Sequence, residues 1–397
     1  MHHILTLNSG SSSIKFALFA VNGTPVEKVR GQVEGLGSMP RLKAQTGQSV
    51  LADEVLDEAR VNDHASGLAA VLGFLQAHFA ADTIAAVGHR IVHGGPDYTE
   101  PVVLDDARLA ELEEFRPLAP LHQPHNISGV RAAKKAFPNA VQVGCFDTAF
   151  HRAHPWVNDT YALPRELYDQ GVRRYGFHGL SYEYVENRLH EVAPHHADGR
   201  VIVTHLGNGS SMCAIQGGQS VGSSMGFTAL DGLPMGTRCG QLDPGVVLYM
   251  MSELGMSAEE IEDVLYRRSG LKGLSGISHD MRLLEAAGTP EALQAIDYFV
   301  YRIRREIGAM IAILSGLDAL VFCGGIGEHA VRIRERICQG FDWIGIELDE
   351  TRNRHGSTVI SSDRSRVRVF VIPTNEEAMI ASHTARLMAE ASSPAIG

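Results

Sequence analysis

The stretch Ile4-Leu5-Thr6-Leu7-Asn8-Ser9-Gly10-Ser11-Ser12-Ser13-Ile14-Lys15-Phe16 decides how this chain is read. An apolar run enters a tight polar turn, and a second apolar run, Ile14 to Val21, leaves it. The turn offers backbone N–H groups, hydroxyls and one lysine to a single small volume. That is what a polyphosphate needs. The pattern returns half a chain later in Val201-Ile202-Val203-Thr204-His205-Leu206-Gly207-Asn208-Gly209-Ser210-Ser211. Two such hairpins in two similar halves point to a duplicated fold closing on one nucleotide. Asn, Ser and Gly are also ordinary turn residues; three serines, a glycine and a lysine together favour the phosphate reading. A G-x-x-x-x-G-K-[ST] loop and the H-R-D-L-x-x-x-N signature are both absent, which disfavours P-loop and protein-kinase classes. A serine hydrolase built on Ser9 to Ser13 lacks its G-x-S-x-G elbow.

At 397 residues, 44% of them hydrophobic, the chain has room for two or three domains. A net charge of -11 argues against a nucleic-acid partner, which calls for a basic face. Five scattered cysteines without a C-x-x-C pair fit reduced thiols in a cytoplasmic protein better than disulfides or zinc. The chain opens on a strand rather than a signal-peptide pattern. Its longest apolar stretch, Ile307 to Phe322, is interrupted by Ser315, Gly316 and Asp318 and is too short to span a membrane.

Strand-like runs fall at Ile4–Leu7, Ile14–Val21, Ile84–Val92, Ala140–Phe146, Val201–Leu206, Ser211–Ile215, Ala319–Cys323 and Val367–Ile372. Helical periodicity lies between them. Leu68, Val71, Leu72 and Leu75 share one face. Ser257 and Glu260 form a capping box for a helix to Arg268, closed by Gly270. A long helix is predicted from Pro290 to Leu314, with Leu293, Ile296, Val300, Ile303, Ile307 and Met310 facing the core. Alternating strands and helices read as α/β, and the hairpins as mixed sheets. A domain boundary is expected in Thr148–Pro155. The domains are then 1–149 with a returning 382–397, and 150–381.

Other motifs have two readings each. Arg90 in Gly88-His89-Arg90-Ile91-Val92-His93-Gly94-Gly95 ends a strand beside glycines. It suits a carboxylate or phosphate clamp, or is a surface arginine. Asp147 follows the strand Val141 to Phe146, where open α/β sheets line their ligand crevice; it is also a possible helix N-cap. Arg238, in Met235-Gly236-Thr237-Arg238-Cys239-Gly240, suits transition-state charge neutralisation or a loop salt bridge. Phe322-Cys323-Gly324-Gly325-Ile326-Gly327-Glu328 brings backbone and a helix start to a ligand, or packs strand on helix. Glu376 and Glu377 offer carboxylates to a metal, or complement a helix dipole. Together, phosphate hairpins, glycine-flanked arginines and a strand-end aspartate point to phosphoryl transfer.

With these motifs in this order, the chain resembles the acetate kinase family along nearly its whole length. Further matching segments are Phe146-Asp147-Thr148-Ala149-Phe150-His151, Tyr175-Gly176-Phe177-His178-Gly179 and Pro373-Thr374-Asn375-Glu376-Glu377. The resemblance implies the two-domain duplicated actin-like ATPase fold, with mixed sheets and a central nucleotide cleft. It implies reversible phosphoryl transfer between ATP and acetate, giving ADP and acetyl phosphate, with Mg2+ (or Mn2+), in a cytoplasmic homodimer. Propionate is a possible secondary substrate. On matching positions, Arg90 would hold the carboxylate, with Val92, Leu121, Phe177 and Ala229 as the apolar wall. Asp147 would be the active-site carboxylate, as base or orienter. His178 and Arg238 would stabilise the transferring phosphoryl group, and Asn8 and Glu376 would support the metal. Lys15, His205, Leu206, Gly207, Asn208, Gly209, Asp280, Met281, Arg282, Gly324, Gly325, Ile326, Gly327 and Glu328 would contact the nucleotide. Three positions depart from the family pattern: Ala229 for a common proline, Gln241 for an aspartate and His329 for an asparagine. The chemistry equally allows a chaperone-like or actin-like ATPase module, whose nucleotide drives shape change.

Overall fold

A computed structural model describes residues 2–10, 13–79, 83–120 and 122–392. The chain divides into two compact units, Met1–Phe150 with Asn375–Gly397, and His151–Thr374. The second crossing falls at Asn375 because the C-terminal helix Glu376–Ser392 packs along its length on first-unit strands; the sequence had placed the return at 382.

The first unit holds an eight-stranded mixed sheet. Its strands are β1 (His2–Ser9), β2 (Ser13–Val21), β3 (Val26–Glu34), β4 (Arg41–Thr46), β5 (Ser49–Val55), β6 (Thr83–Ile91), β7 (Val102–Val103) and β8 (Val141–Phe146). The order is β5-β4-β3-β2-β1-β6-β8-β7. The second unit holds β9 (Arg200–Leu206), β10 (Ser210–Gln216), β11 (Gln219–Ser223), β12 (Ala319–Cys323) and β13 (Arg368–Val371), in the order β11-β10-β9-β12-β13. The shared core of the two sheets is the same. In each, a strand pairs antiparallel with the hairpin, and two parallel strands follow on the other side. The duplication read from the two Asn/Gly/Ser turns is thus a repeat of sheet topology.

Apolar residues on both faces make the central strands buried runs, as in β1, where seven of eight residues are buried. The sequence reading missed β3, β4, β5, β7 and β11. Most of the residues of β3 to β5 are exposed or half-buried and many are charged, so their pattern reads as polar loop. In the second unit the core wraps the helix Pro290–Leu314, whose Thr289 side chain accepts from the Ala292 N–H. Ile296, Val300, Ile303, Ile307 and Met310 are buried as expected, but Leu293 is exposed. The core reaches this end of the helix, where Ala292, Ala295 and Ile296 are buried, but Leu293 falls outside their face.

The capping box forms: Ser257 accepts from the Glu260 N–H, and Glu260 accepts from the Ser257 N–H. Gly270 does not close that helix, which spans Ala258–Arg267 with Arg268 as its C-cap; it opens the next, Gly270–Ser275. The backbone there has φ 62°, and a Cβ would lie 2.2 Å from the Met235 carbonyl oxygen. The N–H groups of Leu271 and Lys272 then donate to Met235 and Gly236, and Ser269 N–H donates to Thr237. The loop bearing Arg238 is therefore hung on this helix start. Gly270→Ala meets both a left-handed backbone and a backbone clash. It should cost about 1–3 kcal/mol, read as a lowered urea midpoint, with Gly288→Ala as the control at a positive-φ site with nothing within 4 Å.

Candidate active site

In the first unit the parallel strands β6 and β8 end side by side, with Arg90 opposite Cys145 and Ile91 opposite Phe146. Arg90 sits one residue before the end of β6, and Asp147 directly follows β8. Asp147 N–H donates to the Ile91 carbonyl at 3.0 Å, which fixes the aspartate against the arginine strand. Arg90 then binds Asp147 side-on: Nε donates to Oδ1 at 2.8 Å and Nη2 to Oδ2 at 2.5 Å. Nη1 donates to Asn8 Oδ1 at 3.3 Å, and Glu376 Oε2 lies 3.7 Å from Nε. The sequence left Asp147 between a functional carboxylate and a helix cap; in the structure both its oxygens bond Arg90.

Burial disfavours the charge on Arg90, but Asp147, Glu376 and Glu377 outweigh it and hold the pKa above the ordinary arginine value. Burial and the neighbouring Glu376 charge push the Glu377 carboxyl above the usual carboxylate range, against the pull of Lys15 and Arg90. Asn8 pairs with Lys15 in the β1–β2 hairpin. Ser9 of that hairpin accepts through its carbonyl from the buried Asn126, whose own Oδ1 accepts from Val92 N–H. Asn126 was not singled out in sequence because a lone Asn in a helix carries no spacing signal.

Glu376 reaches Arg90 through a close helix–strand contact. A Cβ on Gly88 of β6 would lie 2.4 Å from Thr384 Oγ1 and 2.5 Å from Ile380 Cγ2. Only glycine lets the C-terminal helix lie this near β6. Asn8 and Glu376 are hard oxygen donors on different elements meeting at one guanidinium. They suit Mg2+, which takes one or two protein oxygens and fills its shell with water and phosphate. Among the described residues no group of three or more His, Cys, Asp or Glu side chains could hold a metal alone.

The second unit assembles a different group. His178 has a left-handed backbone at φ 59° and precedes the helix Gly179–Val192. Its ring stacks on His205 with centroids 4.2 Å apart and planes 18° from parallel. His178 Nδ1 shares a hydrogen bond with Ser211 Oγ at 2.8 Å, and Tyr182 also bonds Ser211. His205 Nδ1 and Ser181 Oγ are 2.8 Å apart. A Cβ on Gly209 would lie 3.3 Å from His178 Nε2 and 4.0 Å from Arg238 Nη1, so these three converge. Arg238 donates to the Ala229 carbonyl at 2.9 Å.

The two glycine loops abut. A Cβ on Gly324, at φ 73°, would lie 2.8 Å from the Leu206 carbonyl oxygen, and one on Gly207 would lie 3.8 Å from Gly325 N. The Gly324–His329 helix is tied down by buried Arg334, whose Nη1 donates to the Gly327 and Glu328 carbonyls at 2.9 and 2.8 Å. Arg334 was missed because its amphipathic helix reads as a solvated charged face. Glu328 Oε1 accepts from Thr374 N–H, and Ile326 packs against the core. Asp280 caps the helix Met281–Ala287 and binds Arg282, which holds its carboxyl at about 2; Met281 is buried. Gln241 accepts from Arg302 at 2.9 Å and also from Arg305. His329 is exposed beside Glu328. Val92 is buried in the first unit, and Phe177 and Ala229 belong to the second. Leu121 lies outside the described residues, as do Ser11 and Ser12.

The Acetokinase family profile matches residues 3–382. The chain belongs to this family. It is 58% identical to an acetate kinase of Methylocella silvestris over 97% of this chain and 98% of that one. The solved acetate kinase of Porphyromonas gingivalis shares 38% identity, with a TM-score of 0.88 covering 98% of this chain and all of that one. A propionate kinase from Francisella tularensis shares 37%, with a TM-score of 0.91 covering 97% of this chain and all of that one. The fold is accordingly the duplicated actin-like ATPase type of this kinase family.

Two buried histidines, His89 and His151, and the half-buried His154 are held neutral. Burial lowers His89 and His151 to about 4, against hydrogen bonds to Gln142 and Phe177, and burial with nearby His151, Arg152 and Arg174 lowers His154 to about 2. An unfolded histidine titrates near 6.5. Folded pKa values below that mean full stability above pH 6.5, lost as pH falls and the unfolded chain binds protons first. Urea midpoints should therefore drop steadily from about pH 6.5 to 4. His89→Gln should flatten part of that slope, worth on the order of 3 kcal/mol for a shift from 6.5 to about 4.

Proposed function

We propose that the protein catalyses reversible phosphorylation of acetate by ATP, giving acetyl phosphate and ADP, with propionate as a secondary substrate. The carrying observation is family membership over nearly the whole chain. Acetate is ionised at neutral pH, since a carboxyl pKa is about 4, so no strong base is needed. The task is to bring one anion to another. Arg90 has five N–H donors, of which Asp147 and Asn8 take three. The second hydrogens on Nη1 and Nη2 are left to hold the acetate carboxylate. Asp147 then acts as orienter of Arg90 rather than as base. His178 and Arg238, which converge at Gly209, suit the charge on a phosphoryl group in transfer. Lys15 and the hairpins Asn8–Lys15 and His205–Gly209, with Asp280, Arg282 and the loop Gly324–Glu328, take the nucleotide through N–H groups and cations. Asn8 and Glu376 would hold Mg2+, which when bound neutralises phosphate charge.

Ala229 in place of a proline leaves more room beside an acyl chain, which supports propionate use. A cytoplasmic homodimer completes the reading. No helix among the described residues is long and apolar enough to cross a membrane. The helix Pro244–Ser252 buries none of its residues and carries no charge, leaving Leu248, Tyr249 and Met251 exposed. Such an uncharged apolar face suits a second copy of the chain.

Acetate-dependent ADP formation tests the reading, and absence of acetate dependence would favour the ATPase-module alternative. Arg90→Ala should raise the acetate KM, while Arg238→Ala should mainly lower kcat, by about 10²–10³-fold. Near wild-type kcat in Arg238→Ala would remove it from the transition state. For the assembly, Leu248→Glu with Tyr249→Glu should shift the sedimentation mass from dimer to monomer. An unchanged dimer would place the contact elsewhere.

A further inference from the structure

Beneath the loop that carries His178 lies a buried chain of polar groups outside the proposed chemistry. His151 and Ser220 are buried, and His154 lies against them. His151 Nε2 is 2.9 Å from the Phe177 carbonyl oxygen. A carbonyl only accepts, so Nε2 carries the proton and Nδ1 is the bare acceptor. Ser220 Oγ, 2.8 Å from Nδ1, directs its single hydrogen there. His154 Nε2, 2.7 Å from the same oxygen, must then donate to it, while the Cys213 thiol 3.1 Å away has the Ala214 carbonyl as its own acceptor. That leaves His154 Nδ1 bare, and it is buried with no hydrogen-bond partner, which agrees with the deduced proton order. The order fixes one tautomer of His151.

The loop rests on that ring. Gly176 has φ 72°, and a Cβ there would lie 2.6 Å from His151 Cγ and Cδ2. Phe177 follows, then His178 in the left-handed region at φ 59°. A side-chain-bearing residue keeps that conformation only where its surroundings enforce it. The peptide plane of the Phe177 carbonyl leads directly into His178, so fixing the carbonyl fixes the plane from which the His178 φ is measured.

We propose that His151 is a positioning residue: its Nε2–H to the Phe177 carbonyl holds His178 in the left-handed conformation that stacks its ring on His205 and aims it toward Gly209 and Arg238. The proposal rests on the reading of His178 as a stabiliser of the phosphoryl group. Two similar amides separate positioning from bulk. Gln puts an amide N–H near the Nε2 position, whereas Asn reaches only the Nδ1 position. His151→Gln should keep kcat within about threefold of wild type. His151→Asn should lose about 10–10²-fold in kcat, with KM for acetate and ATP little changed. In a His178→Ala background, His151→Asn should cause no further loss, because the effect runs through His178.

Equal kcat for the Gln and Asn variants, or losses that multiply in the double variant, would overturn the proposal. Wild-type kcat in His178→Ala alone would instead overturn the reading of His178 itself. If His151→Asn does not fold, Ser220→Ala leaves the ring in place and releases its tautomer. It should lower kcat several-fold at unchanged KM, and an unchanged kcat would sink the idea.

Discussion

The first unit is organised around keeping one guanidinium charged in a mostly buried place. A buried cation is tolerated only when paired and hydrogen-bonded. Arg90 meets that condition through Asp147, itself fully buried, and through Asn8. Removing either partner of such a pair leaves an uncompensated charge, so the elements that deliver them are constrained together. The parallel pairing of β6 with β8 brings Arg90 and Asp147 to one end of the sheet. The β1–β2 hairpin brings Asn8, and Gly88 lets the C-terminal helix bring Glu376. Three chain segments far apart in sequence are thereby held to one cation.

The second unit solves a different problem, which is to bring backbone groups and imidazoles together on glycine turns. Close approach of the Leu206–Gly209 turn to Gly324 and Gly325 brings two sets of backbone groups together, with Arg334 drawing in the carbonyls at the far end of the short helix. The side chains behind the stacked imidazoles are small hydroxyls. Ser181, Ser211 and Thr374 form bonds of fixed direction at little cost in volume. A hydroxyl can serve as donor and acceptor at once, so one small group can satisfy two neighbours.

Repetition of sheet order in the two units explains why two similar turns appear half a chain apart. Each turn joins the first two strands of its sheet, beside the parallel strand that ends in the next functional loop. Position in the fold gives the turns their common chemistry. The surroundings make them differ: Arg90 and carboxylates lie beside the first, and glycines and histidines beside the second.

Much of this was legible in the chain itself. The inner strands β1, β2, β6, β8, β9, β10 and β12 and the edge strand β13 could be read because they are mostly buried, which leaves continuous apolar runs. The long helix and the capping box could be read because their signals are local in sequence. Asn8, Arg90, Asp147 and Arg238 stood out because each follows a strand or sits among glycines, whereas His178, one of 19 histidines, was marked only by the family resemblance. The outer strands β3 to β5 could not be read, since exposed pairing leaves a polar pattern like that of a loop. Nor could Gly270 be told from a helix stop, because the same residue type serves a left-handed cap and a close backbone approach. That Asp147 turns both oxygens on Arg90, that Glu376 arrives beside it, and that His151 and Ser220 lie under His178 depend on contacts between distant segments. Sequence spacing carries residue type and local period; which distant groups share a hydrogen bond is decided only when the sheets pair and the helices pack.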